Sequence, residues 1–438
     1  MNSNEYKDYH EAFMANHHGS SAVHTFFCIF FTVVCCIISS LRQKKTGNIQ
    51  YIHEYMYIVL PMIMAHTLLS DYIYHLNVIA LLIFIYEFRK QDKNITGSLK
   101  KLNICKAKTI QSISCLRGLT YLITVFSILA VDFKDFPRYL AKTENYGYSL
   151  MDTGVGLFVL MSGLVHKNFG NETVKTIVKS HLKLLIILIF LGLTRLVALK
   201  QLNYQEHITE YGVHWNFFFT LATCKLFSTF LLHVKNEPFL LTITTMTVHE
   251  LVLYKGLQHW VFSELPRNDF ISANREGLCS SLGYISLYLF GVHIKTIISD
   301  KTKYRFTVLN KLFIAAISLS LLTYSVNILR PASRTLANAA YCLFLQTVLC
   351  TVLTLLYFLE VLSQDECDEF HFDIPIILKD FNMNGLAYFI ISNVMTGVIN
   401  ISMMTLYMPS YMTFIILNIY MMLNISFAVI ITKKGYRI

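Results

Sequence analysis

The stretch SAVHTFFCIFFTVVCCIISSL, residues 21–41, contains no Asp, Glu, Lys or Arg. An α-helix rises about 1.5 Å per residue, so about 20 such residues cross the hydrocarbon core of a bilayer. Reading outward, similar stretches lie near 51–69, 71–88, 112–132, 148–166, 177–200, 209–234, 238–255, 283–298, 308–328, 337–362, 386–406 and 410–432, about thirteen in all. The run 51–88 is too long for one crossing and divides at Ser70-Asp71. Composition agrees: 438 residues are 54% hydrophobic and 15% charged, where a soluble chain carries about a quarter charged residues. With 32 Phe, 26 Tyr and only 7 Pro, disorder, collagen, a coiled coil and a small disulfide scaffold are excluded. The expected fold is one all-α polytopic transmembrane helix bundle covering 1–438.

Residues 1–20 are polar and mixed in charge. They lack a basic n-region and a small-residue cleavage site, so 21–41 is expected to act as an uncleaved signal-anchor. Basic residues set orientation through short loops. Arg42, Lys44 and Lys45, then the group from Arg89 to Lys108, then Lys301, Lys303 and Arg305, and finally Lys433, Lys434 and Arg437 all fall on one face when thirteen spans are counted. That face is expected to be cytosolic, with 89–111 and 363–385 as its loops and the carboxyl terminus on the same side. The amino-terminal segment 1–20 and the loop 133–147 are then luminal. The sequons at Asn94 and Asn171 fall on the cytosolic side and are expected to stay unglycosylated. The ten Cys are scattered, mostly inside spans, without metal or disulfide spacing, and read as small packing residues.

An ionisable group inside a span is costly unless it faces protein or water, which makes it a functional candidate. The densest polar cluster is VDFKDFPRYLAKTENYGYSLMDTGVG at 131–156. Asp132 ends a span, and Arg138 and Lys142 occupy the connection. Asp152 lies a turn into the next span, where it demands a partner such as Lys142 or Arg138. Gly154 and Gly156 are expected to admit a close helix. A second cluster, YQEHITEYGVHWNFFFT from 204, carries His207, Glu210, His214 and Asn216. On a helix His207 and Glu210 share a face, as do Tyr211 and His214, and a His beside a carboxylate suits acid–base work near neutral pH. Interfacial anchoring by Trp215 and Tyr211 is the plainer reading.

In NHHGSS, 16–21, Ser20 or Ser21 is placed to cap the first span. Arg330, Arg334 and Asn338 form another group, whose guanidinium forks suit a phosphate clamp or simple anchoring. Asn393, Thr396 and Asn400 recur at helical spacing and are placed to line an interior face or to bond between helices. No phosphate-binding glycine loop, dinucleotide fingerprint, HExxH or GxSxG is present, and no metal site is expected. The excess charge belongs beside membrane, so nucleic acid is not implied.

Taken together, NHHGSS, the 131–156 block, LGLTRLVALKQLNYQEHITEYGVHWNFFFTLA at 191–222, SRTLANAAY at 333–341 and NVMTGVINISM at 393–403 resemble the glycosylphosphatidylinositol inositol acyltransferases. This is the PIG-W family of the endoplasmic reticulum membrane, called GPI-anchored wall transfer proteins in fungi. The resemblance covers nearly the whole chain, with 42–60 and 360–385 divergent. One departure is RYLAK at 138–142, where the family shows a more basic RRFAK.

The resemblance implies transfer of a long acyl chain, typically palmitoyl, from acyl-CoA to the 2-hydroxyl of inositol in glucosaminyl-phosphatidylinositol. No cofactor is expected beyond acyl-CoA as co-substrate, and the partners are that thioester, the glycolipid and the bilayer. It implies Asp132 as general base and Lys142 as the cation that stabilises the oxyanion or orients the base. Arg138, Asp152, His207, His214, Asn216, Arg334, Asn338 and Asn400 are implied to bind or orient substrate. A histidine base, His214 first, is the rival assignment. The alternatives are a secondary transporter, which would show two matching halves with broken helices, a non-catalytic scaffold, and an acyltransferase with another acceptor.

Overall fold

The computed structural model describes residues 9–10, 12–13, 17–42, 47–90, 111–167, 174–202, 208–300, 304–363 and 373–435. The helices are α1 (Ala22–Leu41), α2 (Asn48–Glu54), α3 (Leu60–His66), α4 (Ile73–Lys90), α5 (Gln111–Ala130), α6 (Leu150–Leu164), α7 (Val174–Leu202), α8 (Ile208–Tyr211) and α9 (Phe217–Val234). They continue as α10 (Pro238–Val252), α11 (Gln258–Val261), α12 (Phe270–Ala273), α13 (Arg275–Ile298), α14 (Arg305–Leu329), α15 (Ala339–Ser363), α16 (Ile376–Met383), α17 (Gly385–Ser402) and α18 (Ser410–Lys433). No strand occurs among the described residues; an isolated antiparallel bridge joins Ser20 to Tyr148.

Ten of the thirteen expected stretches form helices long and apolar enough to cross a membrane, among the described residues. The other three are shorter for local reasons. Residues 51–69 are split into α2, a π-helical turn at Tyr55–Val59, and α3, which starts at Leu60-Pro61. The 148–166 stretch begins helical structure only after Ser149 caps it and leaves 15 residues in α6. α10 also has 15 residues and runs into a second π turn, where Gly256 adopts φ 116°. Within 363–385, expected to be loop, α16 forms instead.

The polar contacts between helix ends and connections fall into two sets. At one end Ser20 meets Tyr148, Tyr139 meets Asp71, Lys142 meets Glu210, Arg330 meets Glu250, and Ser410 meets Asp135. At the other end Arg42 meets Glu87, the amides of α16 meet Glu54, the amides of α5 meet Glu360, and Asn384 meets Thr432. The first set includes residues of the amino-terminal segment and of the loop after α5, the second the ends of α1, α4, α15 and α18.

The buried acids of the second end have identifiable partners. Glu360 accepts from the Gln111 and Ser112 amides at 3.0 and 2.8 Å, and Glu54 accepts from Ile376 and Ile377, both at 2.8 Å. Each carboxylate satisfies the orphan N–H groups that open a helix and sits at its positive pole. The tightest helix crossing is α6 on α13. A Cβ on Gly163 would strike the Tyr288 carbonyl and the Gly291 backbone, so small residues here let the backbones touch. Gly156 meets Leu345 and Tyr341, while Gly154 has ordinary clearance and is not needed for close approach.

Candidate active site

Within the first of these sets, three irregular segments are tied by their backbones. The Ser20 amide donates to the Tyr148 carbonyl at 2.6 Å, Glu144 to His17 at 3.2 Å, and Gly147 to Ala332 at 2.9 Å. Gly19 has φ 71° and Gly147 φ 127°; a side chain on either would strike the other segment's backbone. The NHHGSS motif is therefore a docking seam, in which Ser21 also caps α1 by accepting from the His24 amide at 3.1 Å.

Below this seam lies a cavity of 720 Å³. Its polar mouth is formed by His10, Asp132, Lys142, Glu144, Glu210 and Arg334, with Arg195, Asn216 and Asn400 on its walls. Its apolar body runs down α5 from Val131 to Leu116, about 22 Å at the helical rise. Ile29, Val33, Phe158, Phe217, Val348 and Val352 line it from neighbouring helices.

Asp132 follows the last turn of α5 and is 2% exposed. One carboxylate oxygen accepts from Asn400 Nδ2 at 2.7 Å, and the other lies 3.7 Å from His10 Nε2. The loop carrying Asp132 is held by Arg138, whose guanidinium donates to the carbonyls of Val131, Phe133 and Phe136 at 2.7, 3.1 and 2.8 Å. The same group lies 4.3 Å over the Phe13 ring. Burial lowers the Arg138 guanidinium to about 10, against the opposing pull of Asp132.

A few residues away Lys142 Nζ pairs with Glu210 at 2.5 Å. Arg334, 3% exposed, stands 3.7 Å from the same Glu210 oxygen and 2.9 Å from Asp152. Burial raises the Glu210 carboxyl, but Lys142, Arg334 and Arg195 outweigh it and hold it at about 2. Glu210 is thus a fixed anion that orders the cations around it, with too low a proton affinity for a general base. Burial also lowers the Arg334 guanidinium, and Glu210 and Asp152 more than reverse that.

The GWT1 family model matches residues 6–431. The chain belongs to the GWT1 family. It is 30% identical to GPI-anchored wall transfer protein 1 of Schizosaccharomyces pombe over 99% of both chains. It is also 36% identical to the Kluyveromyces lactis protein of that name, over 73% of this chain and 72% of that one. Identity to the Bos taurus glucosaminyl-phosphatidylinositol-acyltransferase PIGW is 28%, over 95% of this chain and 96% of that one.

In this family member, Asp132, Lys142, Glu210, Asn216, Arg334, Asn393, Thr396 and Asn400, all singled out from sequence, line the cavity directly. Asn216 caps α9 by accepting from the Phe218 amide at 3.0 Å and donates to the Gly192 carbonyl, so it fixes α9 against α7. Asp152 lies behind the wall. Its partners are Arg334 and Thr143, which donates from its hydroxyl at 2.7 Å and its amide at 3.1 Å, and not the expected Lys142 or Arg138. Asn338 is turned into its own loop, accepting from the Ser333 amide and donating to Pro331.

The phosphate clamp expected of Arg330 and Arg334 is occupied by Glu250 and by Asp152 with Glu210. His214 is exposed, because the chain leaves helical geometry after Tyr211 and the expected shared face with Tyr211 does not form. His207 lies outside the described residues, as do both sequons. The residues not singled out were His10 and Arg195; Glu210 was expected beside His207 and stands instead as the partner of Lys142. Arg195 carried a signal all the same, a cation within an apolar stretch of α7.

Proposed function

We propose that this protein is a membrane acyltransferase that moves a long-chain acyl group, palmitoyl in the first instance, from acyl-CoA to the inositol 2-hydroxyl of glucosaminyl-phosphatidylinositol. Its site of action is the endoplasmic reticulum membrane. The activity is that of the relatives named glucosaminyl-phosphatidylinositol acyltransferase. The observation that carries the reading is a single cavity in which a buried carboxylate and an ammonium stand at the mouth of a long apolar slot. A fatty chain needs that slot, and transfer from a thioester to an alcohol needs the two charges.

The inositol oxygen attacks the thioester carbonyl carbon while its proton passes to Asp132. Asn400 fixes the carboxylate from one side, and Arg138 holds the loop that presents it. Negative charge grows on the carbonyl oxygen; Lys142 offers it an ammonium with three N–H donors, one of them engaged by Glu210. As the carbon–sulfur bond breaks, the proton held on Asp132 returns to the CoA thiolate. No further cofactor is required for this balance.

Basic residues gather at the far end of the bundle, Arg42, Arg89, Lys90 and Lys433 among them, which supports a cytosolic position for that end and a luminal one for the cavity mouth. Expression in cells lacking inositol acylation tests the function. Acylated glucosaminyl-phosphatidylinositol should reappear by mass spectrometry, and its absence with the protein present in the membrane contradicts the reading.

A further inference from the structure

Arg195 sits on α7 inside a helix apolar enough to span a membrane, is half-buried, and lines the cavity. Among the described residues no hydrogen bond or ion pair within 4 Å engages its guanidinium; its nearest electrostatic neighbours are Glu210 and Tyr211, which feel its charge. Five rigid N–H donors facing a cavity at membrane depth are costly to leave unmatched, and the fork matches the oxygens of a phosphate.

The wall beside Arg195 is open. Val394, Val398 and Ile401 of α17 line the cavity and are 54%, 58% and 70% exposed. Between them Gly397 has nothing near the place of a Cβ. α7 packs mainly on α9, and α17 on α5 and α18, so α7 and α17 make at most glancing contact with each other. The gap between them joins the cavity to the lipid-facing side of the bundle. A two-chain lipid that entered from water would first have to expose its tails, at about 0.8 kcal/mol for each CH₂. A sideways route avoids this.

We infer that the glycolipid substrate enters between α7 and α17 and that Arg195 is the residue that binds its phosphodiester, setting the inositol ring against Asp132. The inference rests on the acyl-transfer reading above. It is tested with the full-length protein in nanodiscs, varying glycolipid and acyl-CoA separately. Arg195→Gln should raise the glycolipid KM by about tenfold, the loss of one charge-assisted pair, and lower kcat through the lost placement of the ring, with the acyl-CoA KM nearly unchanged.

An unchanged glycolipid KM overturns the inference. So does a rise in the acyl-CoA KM alone, which would assign the guanidinium to the phosphates of CoA. If the Gln variant does not fold, Arg195→Lys serves, since a point charge replaces the fork: the same split should appear at smaller amplitude, and its absence overturns the proposal. Retention of phosphatidylinositol in native mass spectrometry needs no turnover. Equal retention by wild type and variant removes the phosphate site even if the wild type acylates nothing, an outcome that would separately remove the acyl-transfer reading.

Discussion

In the proposed reaction Asp132 takes the proton, and it is held by two contacts that differ in kind: a direct hydrogen bond from Asn400 and the carbonyl grip of Arg138 on its loop. Asn400→Ala should therefore lower kcat by an amount well short of the effect of Asp132→Asn, because it removes orientation and leaves the base. Steady-state rates of the two purified variants check this, and an equal loss in both would contradict it. Glu210 has a different task. Held at about 2 when folded against about 4.3 in an unfolded chain, it contributes stability that is complete above the unfolded value and lost as pH falls from there towards 2. The thermal midpoint of the solubilised protein should be insensitive to this group at neutral pH and fall with acid below about 4. Glu210→Gln should flatten that part of the curve, and an identical acid slope in the variant would exclude the assignment.

At the scale of elements, the structure depends on backbone approaches that leave no room for side chains. Gly163→Leu would drive a side chain into the Tyr288 carbonyl and the Gly291 backbone. The expected cost exceeds the roughly 1–3 kcal/mol of ordinary overpacking, because no flexible side chain stands there to yield. A thermal shift assay in detergent measures it. The existence of the helices was legible from runs such as 21–41, since length and apolarity alone require them. Their interruptions were not: the π turns at Tyr55–Val59 and Leu253–Leu257 answer to tertiary packing and leave no signature in periodicity. The same distinction separates the site residues. Asp132, Lys142 and Arg334 stood out as charges at span ends. The choice of Arg334 and Thr143 as partners of Asp152, and of Glu210 as partner of Lys142, depends on how connections far apart in sequence meet.

At the scale of the whole molecule, residues 17–20 dock on 144–148, and the seam built by Gly19 and Gly147 lies beside the cavity. The proposed reaction would then run at the boundary between apolar slot and polar loops. A cysteine introduced at Ser410, which bonds Asp135, should resist a membrane-impermeant thiol reagent applied to the cytosolic face of sealed microsomes, whereas one introduced at Lys90 should react. The reverse pattern would invert the proposed orientation. The proposed reaction depends above all on one carboxylate. Purified wild-type protein and Asp132→Asn, reconstituted at equal amounts with labelled acyl-CoA and glucosaminyl-phosphatidylinositol, should differ by a factor of at least about a hundred in labelled acyl-glycolipid formed, with unchanged thermal stability. Near-equal product from the two would contradict it.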